Sequence, residues 1–383
     1  MWAPQSFGRR VVAAPLKHGL GRSAVARLAR NIERAWPAFD SEGFTAASMR
    51  GLARLELKPR VGHIAAQLAT FLPGDYGKAL AIVVRASERW DHGGDGEPLR
   101  GFAAWPLFHF IEHHGTGDFT RSMAALRSMT HLFSAEFAIR PFIARYPKRA
   151  FAELQRWTTD ASEHVRRLAS EGARPRLPWA TRVPALIDDP TPVLALLDRL
   201  KDEPALYVRR SVANNLNDIA KDHPDRVLDL CEAWLDGASE ERRWIVRHAT
   251  RTLVKAGHPR VWALLGFTRR PQVALSEIAV SPRRVRVGDD VSFTFQLTST
   301  ARVDQRLVVD YAIHFVKASG AGRPKVFKLR VVKVAPRQVT TLSCRHSFRR
   351  ILTRTYYPGL HAIEVLVNGN IEGRAEFALI PAR

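Results

Sequence analysis

Glu136, Glu171 and Asp218 are the carboxylates of this 383-residue chain whose neighbours are spaced for shared chemistry. Glu171 follows Arg167 by four residues, and Asp218 shares its segment with Arg210, Asn214 and Asn217. Residues at i and i+4 lie on one helix face, so each segment presents acid and base on one stripe. Over 207–220, Val208, Val212, Leu216, Ile219 and Ala220 fall on the apolar side and the polar residues opposite. Glu136 and Arg140 repeat the spacing upstream, and Arg247, Arg251 and Lys255 continue it downstream at i, i+4 and i+8. Any one such pair reads as a solvated salt bridge worth about 0–1 kcal/mol. Recurrence on consecutive segments argues for a groove in which the three carboxylates converge, flanked by arginines. Basic side chains in such a groove suit phosphates, and acids among them suit a transient positive charge.

His109, Glu112 and His113 form a less specific constellation, H-x-x-E-H, which sets two imidazoles on one helix face with an acid between them. The sequence offers no third ligand at a helpful spacing, so neither a metal nor another cofactor is expected. No G-x-x-x-x-G-K-[ST], G-x-S-x-G or paired C-x-x-C occurs, which leaves nucleotide hydrolysis, serine hydrolysis and zinc ribbons without support.

The elements that must position these residues are helices. From about 22 to 270 apolar residues recur at three and four, punctuated by Pro73-Gly74, Gly115-Thr116-Gly117 and Pro190. Segments 160–172, 202–224 and 240–259 are variants of one unit: Val165 and Val208 stand 43 residues apart, and Lys221 and Lys255 stand 34 apart. That loose period is HEAT-like, and units of this kind bury their apolar faces only by stacking into a solenoid with a concave side. From about 272 the pattern alternates, as in VSFTFQL (291–297), LVVDYAIHFV (307–316) and HAIEVLVNG (361–369), with turns at Val-Gly-Asp-Asp and Asn-Gly-Asn. Seven or eight short strands in the last 110 or so residues suit a β-sandwich. The expected division is therefore a flexible leader over 1–13, an all-α repeat domain over 14–270 and an all-β sandwich over 271–383.

Charge bears on partners. The chain holds 59 Lys plus Arg against 37 Asp plus Glu, a net +22, at an ordinary 46% hydrophobic content. A generic solubility bias explains part of such an excess, but clustering favours a polyanion. The run RHSFRRILTR at 345–354, with Arg345, Arg349, Arg350 and Arg354, is such a cluster, and residues 271–383 carry 18 basic against 8 acidic side chains. Only Cys231 and Cys344 occur, which fits a reducing compartment such as the cytoplasm. No run reaches the roughly 18 apolar residues of a spanning helix. After Arg9-Arg10, Pro15 and Lys17 cut the apolar stretch too short for a twin-arginine signal.

Four long segments resemble the AlkC branch of the HEAT-like repeat DNA glycosylases: FSAEFAIRPF (133–142), VRRLASEGARPRLPWA (165–180), YVRRSVANNLNDIAKDHP (207–224) and WIVRHATRTLVKAGHPRVWALLGF (244–267). APLKHGLG (14–21) extends the likeness, which covers about 14–270, and YYPGLHAIEVLVNG (356–369) resembles the immunoglobulin-like domain that some AlkC members carry.

The resemblance implies a monofunctional glycosylase that excises cationic alkylated bases, chiefly 3-methyladenine and 3-methylcytosine, from double-stranded DNA without base flipping. It implies Glu136, Glu171 and Asp218 as the active-site acids, with Arg167 and Trp179 lining the site. Arg140, Arg174, Arg176, Arg210, Arg247, Arg251 and Lys255 are then expected to meet phosphates, and Arg345, Arg349, Arg350 and Arg354 to grip the duplex from the other side. The expected species is a cytoplasmic, nucleoid-associated bacterial monomer with no membrane partner. A non-catalytic scaffold for bent or branched DNA stays open beside this reading; a protein-binding adaptor is disfavoured by the basic stripe.

Overall fold

The computed structural model describes residues 15–94, 99–317, 320–321, 324–351 and 354–382, so the leader expected over 1–13 lies outside the described residues. Among the described residues sixteen α-helices run from α1 (Arg22–Ala35) to α16 (Pro259–Leu264), followed by eleven strands from β1 (Val273–Leu275) to β11 (Asn370–Ile380). This is the expected fold class, helical repeats and then a β-sandwich. Helix gives way to strand between Leu264 and Val273. Packing divides the chain elsewhere: one compact unit ends at Asp218, in the last turn of α12 (Leu206–Ile219), and the second begins at Ile219.

In the first unit, acidic side chains start helices where the sequence breaks. Asp40 accepts from the Gly43 amide at 2.8 Å, Asp75 from Lys78 at 2.8 Å and Asp118 from Arg121 at 3.2 Å. Each satisfies an amide that the first turn leaves orphaned, worth about 1 kcal/mol. The amphipathic faces then pack on near neighbours, as stacked repeats require. In α9 (Glu163–Gly172) Val165 and Leu168 are buried, and in α12 Val208, Val212 and Leu216 are fully enclosed.

In the second unit β4 (Asp290–Ser299) shows strict alternation, with Val291, Phe293, Phe295 and Leu297 buried and the residues between them facing out. On one side β4 pairs with β1 and with β2 (Ala279–Ser281), on the other with β9 (Val339–Ser347). The facing sheet runs β3 (Arg284–Arg286), β11, β10 (Gly359–Val367), β5 (Gln305–His314), β8 (Lys325–Val334). Phe293, Tyr311, Phe348, Ile363 and Phe377 are part of the core between them. Eleven strands exceed the expected seven or eight because five are only two or three residues long: β1, β2, β3, β6 (Val316–Lys317) and β7 (Gly320–Ala321).

The last helices belong with these strands for a physical reason. The Thr268 amide donates to the Arg306 carbonyl at 2.9 Å, Asn368 Nδ2 donates to the Thr268 carbonyl at 2.6 Å, and Arg306 lies over the Phe267 ring at 4.6 Å. The β10–β11 turn meets the turn before α16 backbone to backbone. A Cβ on Gly369 would fall 2.4 Å from Gly257 Cα, and both glycines have positive φ, 82° and 69°.

Candidate active site

Two buried polar contacts set the register between α9 and α12. Ser211 Oγ donates to Ser170 Oγ at 2.9 Å, and Asn215 Nδ2 donates to the Ser170 carbonyl at 2.8 Å. Glu171 directly follows Ser170, and Asp218 lies three residues after Asn215, so the contacts that fix the two helices bring their carboxylates together. At the end of α9, Gly172 lets the turn before α7 (Arg140–Arg145) come close, since a Cβ there would meet Ile139 Cγ2 at 2.6 Å. That approach brings Glu136 alongside.

Charges of alternating sign follow. Arg167 Nη1 lies 2.8 Å from Glu136 Oε2, and Nη2 lies 3.6 Å from Glu171 Oε1. Arg174 Nη1 lies 2.7 Å from that same Glu171 oxygen, while its Nε and Nη2 contact Asp218 Oδ2 at 2.8 and 2.7 Å. Glu171 and Asp218, 47 residues apart in sequence, are thus held by one guanidinium. Ser134 Oγ donates to Glu136 at 2.8 Å and accepts from Arg167 at 2.8 Å. Glu171, Arg174 and Asp218 are buried, and Glu136 and Arg167 nearly so. Burial by itself lowers an arginine's affinity for its proton, but Glu136 and Glu171 outweigh that for Arg167, and Glu171 and Asp218 for Arg174, so both are shifted upward.

Arg140 differs. It does not pair with Glu136, because residues 135–139 form a turn and α7 begins only at Arg140, so the helical i, i+4 spacing expected there does not exist. Its side chain points inward to carbonyls: Nε donates to Thr181 at 2.7 Å, and Nη1 to Gly172 at 3.0 Å and Arg174 at 2.8 Å. Burial and the neighbouring Arg174 charge push it down to about 10, against the attraction of Asp218, Glu112 and Glu136. These three bonds clamp the segment that carries Trp179. That indole is 58% exposed on a residue with φ of 66°, and its carbonyl accepts from Lys58 Nζ at 2.7 Å. A positive φ is uncommon for a bulky residue and marks a backbone held against its preference.

The structure therefore gathers Glu136, Arg167, Glu171, Arg174 and Asp218 into one run, with Trp179 on the loop that follows. Arg140 and Arg174, expected at phosphates, are buried and engaged inside the protein. Arg210 is exposed on the first turns of α12, and Arg176 is half-buried. In the second unit Arg247 lies on α14 (Glu240–Ala249), but the helix breaks at Thr250, whose hydroxyl bonds back to Val246 at 2.8 Å. Arg251 and Lys255 sit on the separate α15 (Arg251–Lys255), so the expected continuous stripe is interrupted. Arg349 and Arg350 are exposed, Arg345 donates to Asp290 at 2.6 Å, and Arg354 stacks over Phe315 at 4.2 Å. His109, Glu112 and His113 bring ligand atoms within 4.8 Å of one another, with Nδ1 of His109 at 3.2 Å from Glu112 and Nδ1 of His113 at 3.0 Å from the His109 carbonyl.

Sequence reasoning missed Lys58, Ser134 and Tyr207. Lys58 lies 121 residues from the carbonyl it holds, and no local pattern announces that. Tyr207, whose ring lies 4.7 Å from the Arg167 guanidinium carbon, opens the YVRR motif and was legible as a neighbour of the acidic stripe.

Comparison with known proteins agrees with this architecture. Residues 274–381 match the family model of the C-terminal Ig-like domain of the uncharacterised protein YhaZ. YhaZ of Bacillus subtilis strain 168 is 34% identical over 365 residues, 95% of this chain and 99% of YhaZ. The structure of the Pseudomonas fluorescens alkylpurine DNA glycosylase AlkC, bound to DNA containing an abasic site analog, superposes with a TM-score of 0.88 at 40% identity, covering 96% of this chain and all of that one. With identity and coverage of that order running through both the helical repeats and the sandwich, the chain belongs to the AlkC family of alkylpurine DNA glycosylases.

Proposed function

We propose that this chain hydrolyses the N-glycosidic bond of cationic alkylated bases in double-stranded DNA, 3-methyladenine and 3-methylcytosine among them, and so opens base excision repair in the cytoplasm of a bacterial cell. The observation that carries the reading is the buried run Glu136, Arg167, Glu171, Arg174, Asp218, which holds three carboxylates from separate segments at one place. An N3-alkylated base already bears positive charge, so it leaves without a general acid. The C1′–N bond breaks, its electron pair neutralises the base, and positive charge passes to the sugar. Of the two duties that carboxylates share in glycoside hydrolysis, only the one toward the oxocarbenium ion and the attacking water remains.

Arginines on both sides hold these acids in a fixed orientation before the sugar becomes cationic, which is electrostatic preorganisation. Both arginines meet Glu171 at Oε1; we take Oε2 as the oxygen that accepts the proton as water bonds to C1′. The exposed Trp179 indole packs against the deoxyribose and attracts its cationic character, worth about 0.5–2 kcal/mol. Phosphate contacts fall to exposed basic residues, Arg210, Arg247 and Lys255 on the helices and Arg349 and Arg350 on the sandwich. We assign the base-excising role to residues 14–270 and a duplex-gripping role to 271–383.

The test is single-turnover release of 3-methyladenine from a duplex by Glu171→Gln and Asp218→Asn variants, with affinity for the same duplex measured alongside. Each substitution should slow release by about 100-fold or more, the scale of losing one preorganised electrostatic group, with DNA affinity unchanged. Wild-type rates in both would sink the reading.

A further inference from the structure

A cavity of about 200 Å³ lies one residue away from the site at two points: Phe137, which follows Glu136, and Ala180, which follows Trp179, both line it. Its walls are largely apolar, with Val61, Trp105 and Val183 beside Phe137, and its polar lining includes the Glu112 carboxylate and Arg140. Arg140 spends Nε and Nη1 on three carbonyls, while Nη2 is buried with no hydrogen-bond partner among the described residues. The whole residue is only 3% exposed. A buried guanidinium nitrogen without an acceptor costs at least about 1–3 kcal/mol, and native structures rarely leave one so.

The lining decides what the acceptor is. A phosphate group would find cations in Lys58 and Arg182 as well as Arg140, but it would gain nothing from the apolar walls that make up most of the lining and would be repelled by Glu112. A water molecule would satisfy Nη2 but leave most of the volume empty. A flat heteroaromatic ring with a hydrogen-bond acceptor and an amino group on one edge answers the apolar walls, the Glu112 carboxylate and the orphaned Arg140 Nη2 together. Its faces meet the apolar walls, its acceptor meets Arg140 and its amino group meets Glu112. The cavity has the size for such a ring.

We propose that this cavity receives the free base after the glycosidic bond is cut, holding a neutral methylated purine or pyrimidine beside the loop that carries Trp179. The proposal rests on the base-excision reading above. While the bond is intact the base is tethered to the duplex; once it is broken the ring is free to move, and the cavity opens next to where it is released. Because Arg140 also clamps Gly172, Arg174 and Thr181, an occupant would brace the Trp179 loop from behind, making the released base an inhibitor of the next turnover.

The experiment uses the full-length protein with 3-methyladenine as the probe. Binding is followed by saturation-transfer NMR and calorimetry, and excision from a 3-methyladenine duplex is measured in single and multiple turnover. Two variants leave the carboxylate run alone: Ala144→Leu, which fills the cavity from another of its lining positions, and Glu112→Ala, which removes the acceptor. The wild type should bind 3-methyladenine saturably and be inhibited by it in multiple turnover. Each variant should weaken that binding by about tenfold or more, the worth of a hydrogen bond to a charged group, with single-turnover excision within about twofold, because neither side chain contacts the carboxylate run and Arg140 keeps its three carbonyl bonds. Circular dichroism and thermal melts establish that the variants fold, and if Ala144→Leu does not, Glu112→Ala decides. An excising wild type that binds no 3-methyladenine, undiminished binding in a folded variant, or displacement of the base by inorganic phosphate would each overturn the proposal. Saturable binding by a chain that excises nothing would overturn the product role and, separately, the glycosylase reading.

Discussion

Arg167 and Arg174 in the helical repeats and Arg349 and Arg350 on the sandwich are the same side chain put to opposite uses. The first pair is largely withdrawn from water and each guanidinium touches two carboxylates, whereas the second pair stands in solvent. Desolvated charges interact strongly but only in the geometry that pairs them, so the repeats hold a rigid arrangement that cannot rearrange cheaply. Exposed charges interact weakly with any one partner yet act over about a Debye length, so the sandwich surface attracts a polyanion without demanding a pose. On the proposed reading one region serves chemistry at a point and the other adhesion along a line.

The contrast breaks first if Arg174 is removed. Arg174→Ala leaves Glu171 and Asp218 buried without their shared counter-ion, and urea unfolding should show a loss of about 3–5 kcal/mol together with abolished excision. Adding Glu171→Gln and Asp218→Asn to that variant should return most of the stability and none of the activity. A loss below about 1 kcal/mol would mean that the cluster behaves like a surface pair, and the distinction would fall.

Buried titrating groups in the sandwich sharpen it, because burial outweighs their charged neighbours. Burial, helped by Arg354 and Lys325, pushes His346 down to about 4, while burial pushes Asp310 up to about 6 against the pull of Lys328. Folded His346 binds fewer protons than the unfolded chain between about 4 and its ordinary 6.5, so its contribution to stability rises with pH across that window. Folded Asp310 binds more protons between 3.8 and about 6, so its contribution falls as pH rises. The two nearly cancel. Asp310→Asn should unmask a rise in stability from pH 4 to 6.5 and His346→Gln a fall from pH 4 to 6, each about 3 kcal/mol across its window, read from urea midpoints. Parallel curves for both variants and the wild type would refute the pairing.

A smaller effect concerns how the sandwich is mounted on the last helices. Gly369→Ala puts a Cβ 2.4 Å from Gly257 Cα on a backbone with φ of 82°, and should cost about 1–3 kcal/mol, as overpacking does. A neutral result in thermal melts would mean that the turn is free to move aside. The smallest effect is at the exposed pair. Arg349→Ala with Arg350→Ala should leave stability within about 0.5 kcal/mol and lower the slope of log affinity against log salt by about 0.9 for each phosphate that is no longer neutralised. An unchanged slope would remove the sandwich from the DNA interface.

Much of this was legible in one dimension. The helical period, the repeat of Val165 at Val208 and the alternation through Val291, Phe293, Phe295 and Leu297 announce helices, stacking and a sandwich, because each element must place its apolar side chains on one face. Glu171 and Asp218 were legible too, as acids on the polar stripes of repeats one period apart. Arg140 misleads for a local reason: a four-residue spacing carries meaning only where the backbone is helical, and residues 135–139 turn instead. Arg247, Arg251 and Lys255 share one pattern but not one helix, since Thr250 ends the first.

Periodicity, then, belongs to the sequence, because burial of apolar faces is decided within each element and needs only the identity of neighbours along the chain. Which charge neutralises which was decided by tertiary structure alone. Arg174 was as good a candidate for a phosphate as Arg349 until α9 and α12 closed around it, and Arg140 became a clamp only once the Gly172–Thr181 segment folded over it. The energy of a charge depends on the water left around it, and that is a property of the packed protein rather than of any segment.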